Sequence, residues 1–529
     1  MISANTTSVS AGTSLLGAFR FEGLDVALSG GPAAAAAESR ASCDALLAID
    51  LDGSAGVALG TLLADARSRL GTSGVLLLAL PNRFALRFWS GCPEPGSGRL
   101  FATLAGAEAS SVPAAPADVA RHFVSRRELE AALESAGLAA LEWFFAAPDA
   151  AGTGESGTLI AERLVTAAPE LAAELAWARP SADRLRPRLD LFTEALVGRE
   201  LSRAGLFGEF ASHFLVAAAA SEALPSATVW PRLRPPEVEV GWHCAAGRRE
   251  AVTTIFELGP GGLTVGKRRA RGAAAANPAE PIDQHGFLWK APPRSPLAPG
   301  EPLRLRLQTH LVAGRSEAFL DEFAALFAAV QERFQPPASA PQAELAGEAL
   351  DALMTNATRD ASGAIHFFDL EWQAPAGIAA SWWILRNVAA ALDLRGRRWP
   401  QVASGAELYA KLCERLGVAP SLEADLARES GFGAAVRQAA ADEHSALASA
   451  LAAPWPVAVA QGLDSSALRA ALDLATAHQE LVASYRRLEA WAMEVQQANV
   501  AVVADYRRLA AWATELETRL RQNDPGFLP

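Results

Sequence analysis

The sequence predicts a multidomain fold, α/β followed by α+β, that ends in a helical coiled coil. Three observations predict it. Apolar strand-like runs alternate with amphipathic helices over residues 44–146, hairpin-forming runs follow a proline-rich break at 230–242, and two near-identical helical segments repeat towards the C-terminus. With 529 residues the chain exceeds what one hydrophobic core can serve, so several folded units are expected. Half of the residues are apolar, but many are alanine, which favours helix and buries little surface per residue.

The first unit reads as a doubly wound layer. "DALLAID" (44–50) and "GVLLLALPN" (74–82) are short continuous apolar runs, the pattern of strands buried on both faces. Between them "GVALGTLLADARSRLG" (56–71) has helical character, with Gly71 as its stop. "SRRELEAALESAG" (125–137) opens on a capping box, Ser125 at the N-cap and Glu128 three residues on, and leads into the strand "LAALEWFFA". "GTGESG" (152–157) matches G-x-G-x-x-G but follows the last strands of the unit; it reads as a flexible turn, with a cofactor loop as the alternative. Residues 160–222 read as mostly helical, including "RLDLFTEALVGRELSRAGLFGEFASHFLVAAAA".

"WPRLRPPEVEVGW" (230–242) supplies the best domain boundary. After it "EAVTTIFEL" and "LTVGKRRA", joined by Gly-Pro-Gly-Gly, form a hairpin pattern. A long helix over 317–334 and further helices from 376 to about 455 follow. "YRRLEAWAMEV" (485–495) recurs as "YRRLAAWATEL" (506–516), an offset of 21 residues or three heptads. Leu481, Leu488, Val495, Val502, Leu509 and Leu516 make one seam; Tyr485, Ala492, Asn499, Tyr506, Ala513 and Leu520 make the other. An apolar seam of this length predicts a coiled coil and a homo-oligomer, a lone helix packed on the body being the alternative. The predicted units are 1–225, 226–460, 461–522 and a tail at 523–529.

Charge and composition exclude several classes. A net charge of −12 argues against nucleic-acid binding, which needs a basic face. The basic run Lys267-Arg268-Arg269-Ala270-Arg271 reads by itself as a solvated strand end or loop. Cys43, Cys92, Cys244 and Cys413 form no C-x-x-C pair and the histidines are scattered, so neither zinc nor a disulfide framework is expected. His243-Cys244 is discounted because adjacent residues rarely face one ion. The N-terminus lacks a signal-peptide pattern and no apolar run reaches eighteen residues, so a soluble cytoplasmic protein is expected.

Candidate chemistry concentrates at "LDALMTNATRDASGAIHFFDLEW" (350–372). Asp351 and Asn356 read D-x-x-x-x-N, and Asp369 lies thirteen positions beyond Asn356, after the strand-like "AIHFF". An ordinary helix–turn–strand segment would also fit these letters. Phosphoryl transfer from ATP needs a strand lysine on the nucleotide phosphates, a carboxylate near the acceptor hydroxyl, and an asparagine and second carboxylate for the metal ions. Lys267, ending "LTVGK", fits the first; Asp351 fits the second; Asn356 and Asp369, with Glu371 beside them, fit the third. Arg248 and Arg249 in "CAAGRRE" could add contacts to the nucleotide, although no glycine-rich loop precedes Lys267. Glu280 and Asp283 are the nearby acids before residue 300 that a lysine partner could come from.

"HFFDLEW" resembles the D-[YF]-E-W segment of kinase-like modules in bacterial surface-polysaccharide enzymes and, more broadly, aminoglycoside-phosphotransferase-like kinases. The resemblance implies a protein-kinase-like domain using Mg²⁺ and ATP. Asp351 would be its catalytic-loop aspartate, Asn356, Asp369 and Glu371 would serve the metal, and Lys267 would be the phosphate lysine. "LPNRFALRFWSGCPEPGSGRLF" (80–101) is similar to the later half of class I S-adenosylmethionine-dependent methyltransferases and implies a partial Rossmann-like domain with Asp50, Asn82 and Glu94 at its pocket. Glu94 is followed by Pro95-Gly96 in place of Asp-His, and the glycine motif for S-adenosylmethionine is missing. The order methyltransferase-like, kinase-like, coiled coil resembles the chain terminators of O-antigen synthesis in lipopolysaccharide biosynthesis. It implies a transferase that phosphorylates, and could methylate, a glycan or lipid-linked polysaccharide end, beside a glycosyltransferase, in the cytoplasm or peripherally at the inner membrane. The alternative is a catalytically decayed scaffold that organises glycosyltransferases through the coiled coil.

Overall fold

Strands β1 (Val26–Ser29), β2 (Cys43–Ile49) and β3 (Leu70–Pro81) form a parallel edge, in which the apolar runs of β2 and β3 are buried over most of their length. The structure is a computed structural model and describes residues 18–22, 24–29, 43–49, 58–94, 100–105, 123–148, 157–178, 191–220, 228–244, 252–269, 282–284, 286–290, 294–335, 344–391, 402, 404–436 and 443–453, with positions 477, 484, 487, 488, 491, 496, 507–516 and 518–519. Helix α1 (Leu59–Arg69) runs directly into β3, so Gly71 lies inside the strand and does not stop the helix. Helix α2 (Arg126–Ser135) opens on the expected capping box of Ser125 and Glu128, and Gly137 follows it with φ +70°.

Beyond β3 the sheet turns antiparallel. β4 (Leu138–Pro148), β5 (Gly157–Ala161) and β6 (His213–Ala220) pair so that β6 lies between β3 and β4. The doubly wound expectation therefore describes only one edge of the sheet. The helical reading of 160–222 holds for α3 (Glu162–Ala167), α4 (Pro169–Trp177) and α5 (Glu194–Arg203), but "HFLVAAAA" is a strand. Alanine's helix propensity yields there to ladder bonds on both sides and to burial of all eight residues.

β7 (Glu239–Cys244) pairs with β5 and carries the sheet across the proline-rich segment. β8 (Val252–Gly259) and β9 (Gly262–Arg269) continue it as the predicted hairpin, with Gly262 at φ +99° in the turn. The full order is β1-β2-β3-β6-β4-β5-β7-β8-β9-β12, where β12 is Ser295–Pro296. Three small sheets follow: β10 (Ile282–Gln284) and β11 (Phe287–Trp289) with β17 (Trp372–Gln373); β13 (Glu301–Pro302) with β15 (Ala357–Arg359) and β16 (Ile365–Phe367); and β14 (Glu344–Leu345) with β18 (Ile378–Ala379). Helices α6 (Leu303–Val312), α7 (Ser316–Arg333), α8 (Ala380–Ala391), α9 (Gly405–Leu416), α10 (Leu422–Val436) and α11 (Glu443–Ala452) complete this half.

The architecture is mixed α/β around a large mixed sheet. Apolar side chains gather in two main cores, one from Ala18 to Leu305 across the big sheet and one from Val252 to Leu451 around α6–α11. Residues 1–464 form one compact unit and 465–529 a second. In the second unit the described residues are helical, and Leu488, Trp491, Leu509, Trp512 and Leu516 are exposed. Among the described residues no helix is long and apolar enough to cross a membrane.

Candidate functional site

Lys267 lies near the end of β9, directly across the ladder from Thr254 on β8. Cross-strand partners share a face, and the Lys267 ammonium donates to Thr254 Oγ1 at 2.6 Å. It donates also to Asp369 Oδ2 at 2.9 Å and lies 3.5 Å from Glu371 Oε2. The Lys267 side chain is only 3% exposed, so its charge is stripped of water and must be met by these groups. Glu280 falls outside the described residues, and Asp283 sits on β10; the acids that meet the lysine are instead Asp369 and Glu371.

The segment that brings them there is built by backbone geometry. β15 and β16 form a short hairpin, and Phe368 N donates to Asn356 O at 3.0 Å, which sets Asn356 and Asp369 at the same end of it. Asp369 then turns the chain with φ +56°, a left-handed conformation that costs a non-glycine residue about 1–2 kcal/mol and suits aspartate better than most. Beyond the turn, β17 pairs with β11, opposing Trp372 to Trp289, and Lys290 N donates to Glu371 O at 2.9 Å. The Trp289 indole donates to Glu371 Oε2 at 3.0 Å.

Asp351 is buried and faces this turn. Its Oδ2 accepts the backbone N–H groups of Glu371 at 3.0 Å and Trp372 at 3.1 Å, and its Oδ1 is 3.9 Å from Arg386. Asn356 Nδ2 donates to Asp351 O at 3.0 Å, closing the ring of contacts. Thus Lys267, Asp351, Asn356, Asp369 and Glu371 are brought together. Thr254, Trp289 and Arg386 were not legible as members; the alternation in "GFLWK" points Trp289 to one side of β11 but names no partner.

Other predicted residues stand apart. Arg248, Arg249 and Asp50 lie outside the described residues. Asn82 is fully buried at the end of β3; its amide donates to Glu209 O at 2.8 Å and Ala211 O at 2.9 Å, and its carbonyl accepts from Phe84 N at 2.9 Å. It latches β3 to the turn before β6. Glu94 is buried. His243 Nδ1 is 2.8 Å from Thr158 Oγ1.

Among the described residues no group of three or more His, Cys, Asp or Glu is placed to hold a metal ion. Mg²⁺ does not require one, because it commonly takes one or two protein oxygens, with nucleotide phosphates and water completing the octahedron. Asp369, whose side chain is 18% exposed, and Asn356 at the same hairpin end fit that smaller set. For S-adenosylmethionine the described residues do not fit: the Asn82 amide is engaged by backbone on both its oxygen and its nitrogen. No family model matches this chain, and neither does any curated protein or solved structure.

Proposed function

We propose that the half of the chain carrying Lys267 and Asp369 is a protein-kinase-like unit of the aminoglycoside-phosphotransferase type, transferring the γ-phosphoryl group of ATP to a sugar hydroxyl. One observation carries this reading: a buried strand lysine 2.9 Å from Asp369, at the hairpin end that also holds Asn356. Two carboxylates share one ammonium here, leaving negative charge to attract a divalent cation. Asn356 and Asp369 would hold Mg²⁺, whose chemistry is to neutralise charge on the transferring phosphoryl group. Lys267 would contact the phosphates. Asp351 would orient the acceptor hydroxyl; its Oδ2 is held by the backbone of Glu371 and Trp372 and its Oδ1 lies 3.9 Å from Arg386.

The acceptor class rests on the "HFFDLEW" resemblance, which points to a surface-polysaccharide end of the O-antigen kind, reached by a homo-oligomer peripheral at a cytoplasmic membrane face. No methyl-transfer step is derived for the first half of the chain. The experiment is transfer of γ-labelled phosphate from Mg²⁺–ATP to a polymannose oligosaccharide. Label should enter the glycan with the wild type and not with Asp369→Asn.

A second reading, a decayed scaffold that organises glycosyltransferases through its coiled coil, is favoured by a different observation. Thr254 and Asp369 accept two of the ammonium protons of Lys267 and Glu371 lies 3.5 Å away, which is also how a purely structural buried pair looks. Absence of label from the wild-type reaction, with Mg²⁺ and acceptor saturating, would leave this reading standing alone.

A further inference from the structure

The two acids beside Lys267 are held very differently. Asp369 makes the closer contact, 2.9 Å, from an 18% exposed side chain on an isolated left-handed turn. Glu371 is 3.5 Å away and 4% exposed, and it is gripped at three points. Its N–H is held by Asp351 Oδ2 at 3.0 Å, its C=O by Lys290 N at 2.9 Å, and its Oε2 by the buried Trp289 indole at 3.0 Å. Swinging Glu371 away would break its bond from that buried indole, whereas the Asp369 side chain is partly exposed. In protein kinases the corresponding lysine is paired by a helix glutamate. Among the described residues between β9 and α6 there is no helix, and the β10–β11 hairpin packs there instead.

We propose that Glu371 is a positioning residue, not a metal ligand: it is the fixed anion that anchors Lys267, supplied by the strand after Asp369 and locked by Trp289. Asp369 is thereby able to turn from the lysine to a cation. The metal half of this statement rests on the phosphoryl-transfer reading; the anchoring half is a property of the chain without ligand.

Two measurements on the full chain separate the halves. The first is the rate at which an amine-acylating reagent modifies Lys267, followed by mass spectrometry, with exposed Lys290 as internal reference. Glu371→Gln should raise the Lys267 rate about tenfold, Trp289→Phe should raise it in the same direction, and Asp369→Asn should change it least. A larger rise in Asp369→Asn than in Glu371→Gln overturns the anchor. If Glu371→Gln fails to fold, Lys267 reacts at the rate of Lys290, and Trp289→Phe, which keeps both carboxylates, decides; no rise in that variant overturns the anchor. The second is calorimetric binding of ADP with and without Mg²⁺. Glu371→Gln should weaken ADP about tenfold in both conditions and keep the Mg²⁺ enhancement, while Asp369→Asn loses the enhancement. Loss of the enhancement in Glu371→Gln makes Glu371 a metal ligand and overturns the assignment. If wild-type chain takes up no ADP, the phosphoryl-transfer reading and the metal half fall together, and the acylation rates alone decide the anchor.

Discussion

Lys267 shows at the scale of one residue what the site costs and what holds it. Its ammonium is buried against Asp369, Glu371 and Thr254, so removing the charge leaves two carboxylates facing each other in poorly hydrated surroundings. Lys267→Met should lower stability by about 3–5 kcal/mol, the usual cost of breaking a buried pair from one side, measured by chemical denaturation. A loss under about 1 kcal/mol, the surface-pair range, would mean that water reaches the pair. The letters Asp351, Asn356 and Asp369 were readable because their spacing within 350–372 is local and chemically demanding, and Lys267 because it ends a hairpin strand. Which acids meet the lysine was not. The Lys267–Asp369 contact spans 102 residues and the Trp289–Glu371 contact 82, and only the folded sheet brings them together. Asp351 illustrates the same limit from the other side: its D-x-x-x-x-N position suggested an acceptor contact, while its Oδ2 proves to cap the backbone of the turn it faces.

Elements were legible where their signals are local. The capping box at Ser125 and Glu128 and the Gly-Pro-Gly-Gly hairpin form as read, because side chain and backbone a few residues apart decide them. β6 departs from the helix its alanines predict, because alanine favours helix in isolation and only two flanking strands make the extended form better. Close backbone contact is equally invisible in sequence. A Cβ on Gly347 would lie 1.9 Å from Ala374 O, where the short 3₁₀ turn carrying Asp351 packs on the segment after β17. Gly347→Ala must therefore push that turn away from Glu371 and Trp372. A loss of about 1–3 kcal/mol in thermal unfolding is expected, with weakened nucleotide binding in step. An unchanged melting temperature would show that the turn yields freely.

Across the whole molecule, ion pairs join elements that the apolar cores divide. Arg199 on α5 pairs with Glu301 at 2.6 Å, Arg306 bridges Glu301 at 3.1 Å and Glu322 at 3.0 Å, and Arg359 on β15 meets Glu322 at 2.7 Å. Burial alone would raise the Glu322 carboxyl, but hydrogen bonds from Arg306 and Arg359 outweigh it and hold the group below its ordinary 4.5. Burial, then the charges of Arg315 and Arg306, lower His310 below 6.5. Both folded values are depressed, so both contributions are present at higher pH and fade on acidification: His310 as pH falls below 6.5, Glu322 as it falls below 4.5. Denaturation midpoints should therefore decline in two stages, and His310→Gln should remove the first. A wild-type midpoint flat from pH 7 to 5 would contradict this. In the second unit, the exposed Leu488 and Leu509 occupy one heptad seam. Leu488→Asp with Leu509→Asp should convert an oligomer into a 55.4 kDa monomer in sedimentation, whereas a monomeric wild type would exclude the coiled coil. The pairing of β5 with β7, which runs one sheet through the proline-rich break, was not readable, because proline marks a turn and not which strands meet around it.

If Lys267, Asn356 and Asp369 receive a metal–nucleotide, as proposed, calorimetric titration with ATP and Mg²⁺ shows it most directly. The wild type should release or absorb heat at one site per chain, and Asp369→Ala, shown folded by circular dichroism, should give none. Absence of heat from the wild type, or identical binding by Asp369→Ala, would contradict the account.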